Sequence, residues 1–221
     1  MPRDLFHLEL QRVQEDMLVM ASMVNNAIER SVNSLKQRDL KLAQDVISDD
    51  RKINQQRFGI EEACLHLITT QQPIASDLRT IAAVLNIITD LERMGDHAEG
   101  IAKISIIIGD EPPLKPLVDI PRMDEMARSM LQRSMDAFMS RDADSARKIA
   151  DEDDAIDQLY DQIYRELLTF MMADPSTINR ATHLLWVSHN LERIADRVTN
   201  ICERVVFLTT GRMEEFNHPK Y

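Results

Sequence analysis

Glycine and proline are scarce in this chain, at 5 and 8 of 221 residues, and most of them fall between periodic stretches. Aromatic residues make up only 5%. A chain this short of turn residues and rings has the composition of an all-helical protein. There are two cysteines, Cys64 and Cys202, without CxxC spacing, which excludes a disulfide framework and points to reduced, buried thiols. No apolar run approaches the ~20 residues of a membrane span. Charges at Asp4, Glu9, Arg12 and Glu15 interrupt the start, against a signal peptide. Positive charge is also short. Lysine and arginine number 26 against 37 acidic residues, a net charge of −11. That balance disfavours direct nucleic-acid binding, whose affinity comes mostly from phosphate neutralisation. It suits metal cations or a basic protein surface. Catalytic signatures are missing too: no P-loop, no Gly-x-Ser-x-Gly and no glycine-rich dinucleotide turn. The Glu-x-x-His spacing of di-iron bundles occurs only at Glu215-Phe216-Asn217-His218, in the tail, and is set aside.

What the chain has is helical periodicity, and it has it twice. Apolar residues form 44% of the sequence, enough for a sizeable core, and 13 methionines supply adaptable filler for it. Six helical stretches are expected, at about 4–37, 39–70, 76–108, 122–140, 142–173 and 177–210. Asp39 and Asp142 are natural N-caps, Gly109 and Gly211 natural C-terminal stops. The last stretch steps by threes and fours through Leu184, Val187, Leu191, Ile194, Val198, Ile201, Val205 and Leu208, a bundle seam. One hundred residues earlier stand Val84, Ile87, Leu91, Met94, Ala98, Ile101, Ser105 and Ile108. The second and fifth stretches match at a shift of 103: Arg38-Asp39 answers Arg141-Asp142, and Asp50 answers Asp153. The expectation is an all-α fold of two tandem, pseudo-symmetric three-helix bundles. They would span residues 1–109 and 122–211, with a proline-rich linker at 110–121 and a tail at 212–221.

Within the repeat, Leu91-Glu92-Arg93-Met94-Gly95-Asp96 returns as Leu191-Glu192-Arg193-Ile194-Ala195-Asp196. Each copy stacks two carboxylates four residues apart on one helix face, about 5–6 Å apart at Cβ, where like charges repel. Folding each hairpin about its turn proline sets Asp157 level with Glu192 and Asp153 level with Asp196. In the first repeat it sets Asn54 level with Glu92 and Asp50 level with Asp96. Taking Leu191 and Ile194 as core positions turns Glu192 and Asp196 outward, toward the bundle surface. Such oxygen-rich sets suit hard or borderline ions: Mg²⁺, Mn²⁺, iron or Zn²⁺, as single ions or clusters. The alternative is a solvated acidic face with Arg93, Arg193 and Arg197 as neighbours. Asn54 weakens the first set because an amide adds no charge. Asn200, one turn after Asp196, is a further candidate ligand, as are Glu99 and His97 in the first repeat. Ser188-His189-Asn190-Leu191-Glu192-Arg193 faintly resembles a phosphoacceptor helix, but no ATP-binding half follows and Thr89 stands at the equivalent of His189.

Asp90-Leu91-Glu92-Arg93-Met94-Gly95-Asp96-His97-Ala98, Asn190-Leu191-Glu192-Arg193-Ile194-Ala195-Asp196-Arg197 and the ending Val206-Phe207-Leu208-Thr209-Thr210-Gly211 together resemble the PhoU family of phosphate-uptake regulators. The resemblance covers nearly the whole chain. It implies two related three-helix bundles in a cytoplasmic homodimer. It also implies multinuclear metal sites on Glu/Asp-x-x-x-Asp motifs: Glu92 and Asp96 with Asp50, and Glu192 and Asp196 with Asp153 and Asp157. Asn54 departs from that pattern, and so does Gly100 where the second repeat has Asn200. The family's role, carried over, is that of a non-enzymatic adaptor with no catalytic residue and no organic cofactor. It would couple the phosphate ABC transporter, through its ATP-binding subunit, to a phosphate-sensing histidine kinase, restrain uptake and silence the starvation response. It would meet the membrane only through those partners. The other readings of the residues are a metal-dependent enzyme using the carboxylates and a helical phosphorelay protein.

Overall fold

A computed structural model describes residues 2–216, so Asn217 and His218 of the tail motif lie outside the described residues. The described chain is all-helical: α1 (Pro2–Gln37), α2 (Leu40–Gln71), α3 (Ala75–Ile108), α4 (Asp119–Ser140), α5 (Ala143–Ala150), α6 (Asp153–Ala173) and α7 (Ile178–Thr210), with a 3₁₀ turn at Pro175–Thr177. The repeats are α1–α3 and α4–α7. Among the described residues, no helix is long and apolar enough to cross a membrane.

Matched local chemistry builds the two repeats. Arg38 and Arg141 both take left-handed conformations, at φ 57° and 53°, and end α1 and α4. The next residue of each caps the following helix. Asp39 accepts from the Leu42 amide at 2.9 Å, and Asp142 from the Asp144 and Ser145 amides at 3.1 and 3.0 Å. Left-handed closure followed at once by an aspartate cap makes a tight turn between antiparallel helices. The next link repeats as well: Arg30 pairs with Asp49 at 2.8 Å, and Arg133 grips Glu152 through two contacts of 2.7 and 2.5 Å. Lys52 and then Arg30 hold Asp49 below the usual carboxylate range, and Arg133 does the same for Glu152.

Two boundaries differ from the periodicity. α4 begins at Asp119 rather than near 122, because Pro121 falls in its first turn, where a missing N–H costs nothing. The expected fifth helix is interrupted at Asp151–Glu152. There Glu152 and Ala155 bond to carbonyls three residues back, tightening the helix immediately before Asp153. The equivalent stretch of α2 runs through unbroken.

The two repeats pack against each other. They share one apolar core that includes Met17 and Ile28 of α1, Ile53 of α2, Leu91 and Met94 of α3, Met130 and Phe138 of α4, Ile156 and Ile163 of α6, and Leu191, Ile194 and Val198 of α7. α3 packs more extensively on α7 than on any other helix, and α1 also meets α4. The reason is visible in the burial. α2 buries a single stripe (Ala43, Val46, Ile53, Ile60, Cys64 and Leu67). α3 adds Ala83, Ile88 and Ala102 to its predicted seam, and α7 adds Ala195, Cys202 and Val206. These additional buried positions let each central helix pack in its own repeat and against the other repeat as well. Cys64 and Cys202 are buried and free, and burial pushes both thiols up to about 12.

A shared core predicts shared unfolding. Ile194, fully buried, is expected to cost about 2–4 kcal/mol on truncation to alanine. Urea unfolding followed by circular dichroism and by the fluorescence of Trp186 should show one transition in wild type and in Ile194→Ala. Two separated transitions would mean the repeats fold independently.

Candidate metal centre

The motif carboxylates lie in the grooves between antiparallel helices, one groove between α2 and α3, the other between α6 and α7. They are less exposed than an outward-turned pair would be. Side-chain exposure is 12% for Glu92, 20% for Glu192 and 23% for Asp196, against 41% for Asp96. The core positions Leu191 and Ile194 do turn the carboxylates off the seam, but the facing helix then covers them. Asp153 is itself buried.

In the second groove, Asp157 on α6 bears on both Glu192 and Asp196, as the level-matching predicts. Burial, then the neighbouring Asp196 and Asp157, push Glu192 up to about 7. Burial likewise raises Asp196, although Arg193 pairs with it at 2.8 Å. His189 sits one turn before Glu192, with Nδ1 3.4 Å from Glu192 Oε2, and burial lowers its pKa.

In the first groove, burial and the charges of Glu99, Asp96 and Glu92 push Asp50 up to about 6. Here the fold supplies its own relief. Asn54 donates from Nδ2 to Asp50 Oδ2 at 2.8 Å. Arg57 stands 3.7 Å from Glu92, Arg93 3.2 Å from Asp96, and Lys103 pairs with Glu99 at 2.6 Å. Asp50 Oδ1 lies over the backbone of α3 at Gly95, where a Cβ would come within 3.3 Å of it.

Two predicted ligands turn away from the grooves. Asn200 donates from Nδ2 to Asp90 Oδ1 at 3.2 Å, and Arg197 reaches the same oxygen at 3.4 Å. His97 donates from Nδ1 to Asn190 Oδ1 at 2.9 Å. Asp90–Arg197 and Asn190–His97 are the same pair of positions with the repeats exchanged. They show that α3 and α7 run antiparallel about a pseudo-twofold axis. Asp90, Arg57, Lys103 and Asn190 were not among the predicted site residues. Arg57 and Lys103 were within reach of the periodicity, one helical turn beyond Asn54 and Glu99.

Among the described residues, no three His, Cys, Asp or Glu side chains converge tightly enough to enclose an ion in this conformation. The donors nonetheless suit one. Asp50 Oδ1, Glu92 Oε2 and Glu192 Oε2 are buried oxygens that accept no hydrogen bond, a costly state for a carboxylate. All three belong to the predicted sets, and all are hard oxygen donors. An open groove of about 350 Å³ on the α4–α5 hairpin, lined by Arg133, Asp136, Lys148 and Glu152 among others, includes none of these residues.

The PhoU domain, as a family model, matches residues 17–105 and 120–205. The chain belongs to the PhoU family. It is 40% identical over 212 residues to the phosphate-specific transport system accessory protein PhoU homolog of Aquifex aeolicus, covering 96% of each chain. It is 38% identical to the homolog of Clostridium acetobutylicum, covering 98% of this chain and 100% of that one. Its structure resembles the crystal structure of PhoU from Pseudomonas aeruginosa with a TM-score of 0.89 at 36% identity, covering 94% of this chain and 100% of the other. The regulatory protein PhoU of Streptococcus pneumoniae gives 0.89 at 33% identity, covering 95% and 99%. The PhoU resemblance read from the doubled motif is thus established, together with the all-α, two-repeat architecture.

The raised carboxylates make a pH prediction for this PhoU-family protein in the metal-free state. The folded chain keeps the Glu192 proton up to about pH 7, whereas the unfolded chain releases it near 4.5. Stability therefore falls as pH rises through that window, Asp50 contributing in its lower part. Discounted for partial solvent screening, Glu192→Gln should stabilise the protein by about 1–2 kcal/mol at pH 8 and little at pH 4. Melting curves in chelator between pH 4 and 8 check this. An unchanged slope in the variant would contradict it.

Proposed function

We propose that this PhoU-family protein is an accessory regulator of phosphate transport whose two carboxylate grooves hold metal ions. Asp153, Asp157, Glu192 and Asp196 would hold one ion or cluster. Asp50, Glu92 and Asp96 would hold a second, more weakly, because Asn54, Arg57 and Lys103 already answer part of that groove's charge. The bound cation would neutralise carboxylates that otherwise repel, and would fix α6 against α7 and α2 against α3. The relatives' names supply the phosphate-transport setting. The observation that carries the metal reading is the pair of buried oxygens without hydrogen bonds at the repeat-matched positions Glu92 and Glu192.

The finer role follows from the same reading. The protein, a cytoplasmic homodimer, would couple the ATP-binding subunit of a phosphate ABC transporter to a phosphate-sensing histidine kinase. When phosphate is plentiful it would restrain uptake and keep the starvation response silent. Long helices with a net charge of −11 offer extended acidic faces for docking on basic partners, which supports an adaptor.

Deletion of the gene tests the role, read with a phosphate-starvation reporter in phosphate-rich medium. The reporter should switch on in the deletion strain and return to silence with the wild-type gene. A Glu192→Gln/Asp196→Asn version should restore silence poorly at equal protein level. A reporter that stays silent in the deletion strain would remove the regulatory role. Full complementation by the double variant would separate the role from the second groove's metal.

A further inference from the structure

His97 is held by Asn190 of the other repeat, whereas His189, at the end of the α6–α7 groove, faces residues of its own repeat. Its Nδ1 is 3.4 Å from the buried Oε2 of Glu192, an oxygen that accepts no hydrogen bond. The imidazole is set by two rings. Tyr160, level with it on α6, lies 6.1 Å away between centroids, and Trp186, one turn earlier on α7, lies 6.2 Å away edge-on. The level pairs therefore include Asp157 with Glu192 and, one turn on, Tyr160 with His189.

The first groove has a different end. Thr89 replaces His189 and spends its hydroxyl on the Leu85 carbonyl at 3.0 Å. Arg57 replaces Tyr160 and reaches Glu92 instead. One groove thus closes on a nitrogen donor and the other on a fixed positive charge.

Resting on the reading of these grooves as metal sites, we propose that His189 is a nitrogen ligand of the ion at Glu192 and makes the second groove selective for Zn²⁺ over Mn²⁺ and Mg²⁺. The separation fits. With metal–ligand bonds of about 2.1 Å, two donors on the edge of a tetrahedron lie about 3.4 Å apart. The chemistry also fits, because imidazole suits zinc and its neighbours whereas all-carboxylate sets suit magnesium and manganese. The first groove, with oxygen donors only, lacks the added bias toward Zn²⁺ that a nitrogen ligand brings.

The test uses the full-length protein freed of metal by chelator and titrated calorimetrically with Zn²⁺ and, separately, Mn²⁺. His189→Gln should weaken Zn²⁺ binding about tenfold or more while changing Mn²⁺ binding by less than about threefold. Glu192→Gln should weaken both. In wild-type protein labelled with ¹⁵N-histidine, one ring-nitrogen resonance should shift on adding Zn²⁺ and be absent from the spectrum of His189→Gln. That readout needs no variant to bind metal. Zn²⁺ affinity unchanged in His189→Gln, or an equal loss for both ions, would overturn the role of His189. If Glu192→Gln still weakens both ions in that case, the carboxylate reading survives. Failure of the wild type to bind either ion would overturn both.

Discussion

Carboxylates confined at helical spacing in a narrow groove repel one another, and the surroundings of each motif are answers to that repulsion. Facing helices strip water from Asp50, Glu92, Glu192 and Asp196, so the repulsion is not screened away as it would be on an open surface. The first groove responds internally, with the Asn54 amide on Asp50, Arg57 beside Glu92 and Lys103 on Glu99. The second responds with Arg193 on Asp196 and leaves Glu192 with its pKa near 7. A duplicated motif has thereby become two inequivalent grooves, the first with more charged and amide partners for its carboxylates and the second with fewer.

The frame that creates the grooves is the antiparallel seam of α3 and α7. Those two helices carry both copies of the motif and are buried from two directions. Each motif is therefore carried by a deeply buried helix, while α2 and α6 bring the opposing carboxylates from outside. The polar residues of the seam tie the copies together without joining the grooves. Asp90 with Arg197 and Asn200, and Asn190 with His97, lie between the two repeats. A cation in one groove would act on the other chiefly through these shared helices.

Much of this is legible in the sequence, for identifiable reasons. The 3.6-residue period, the Arg-Asp turns and the glycine stops report local backbone chemistry, which is why the helices and the repeat stand out. Level-matching across a hairpin needs only a turn position and a constant rise. It accordingly places Asp157 against Glu192, and it would have placed Tyr160 against His189. Three things were hidden. Asn200 and His97 look like ligands on their own helix but are claimed by partners in the other repeat, which no within-hairpin argument can see. The tightened turn at Asp151–Glu152 depends on hydrogen-bond geometry rather than on residue type. The burial of the carboxylates depends on how closely α6 covers α7, which follows from packing and not from the heptad itself.

The reading proposed for the grooves is that both bind metal and that the second binds it better. Crystals of the protein grown with Zn²⁺ and measured on either side of the zinc absorption edge test this most directly. An anomalous peak is expected among Asp153, Asp157, Glu192 and Asp196, stronger than any at Asp50, Glu92 and Asp96. No peak in either groove, or a stronger peak in the first, would contradict it.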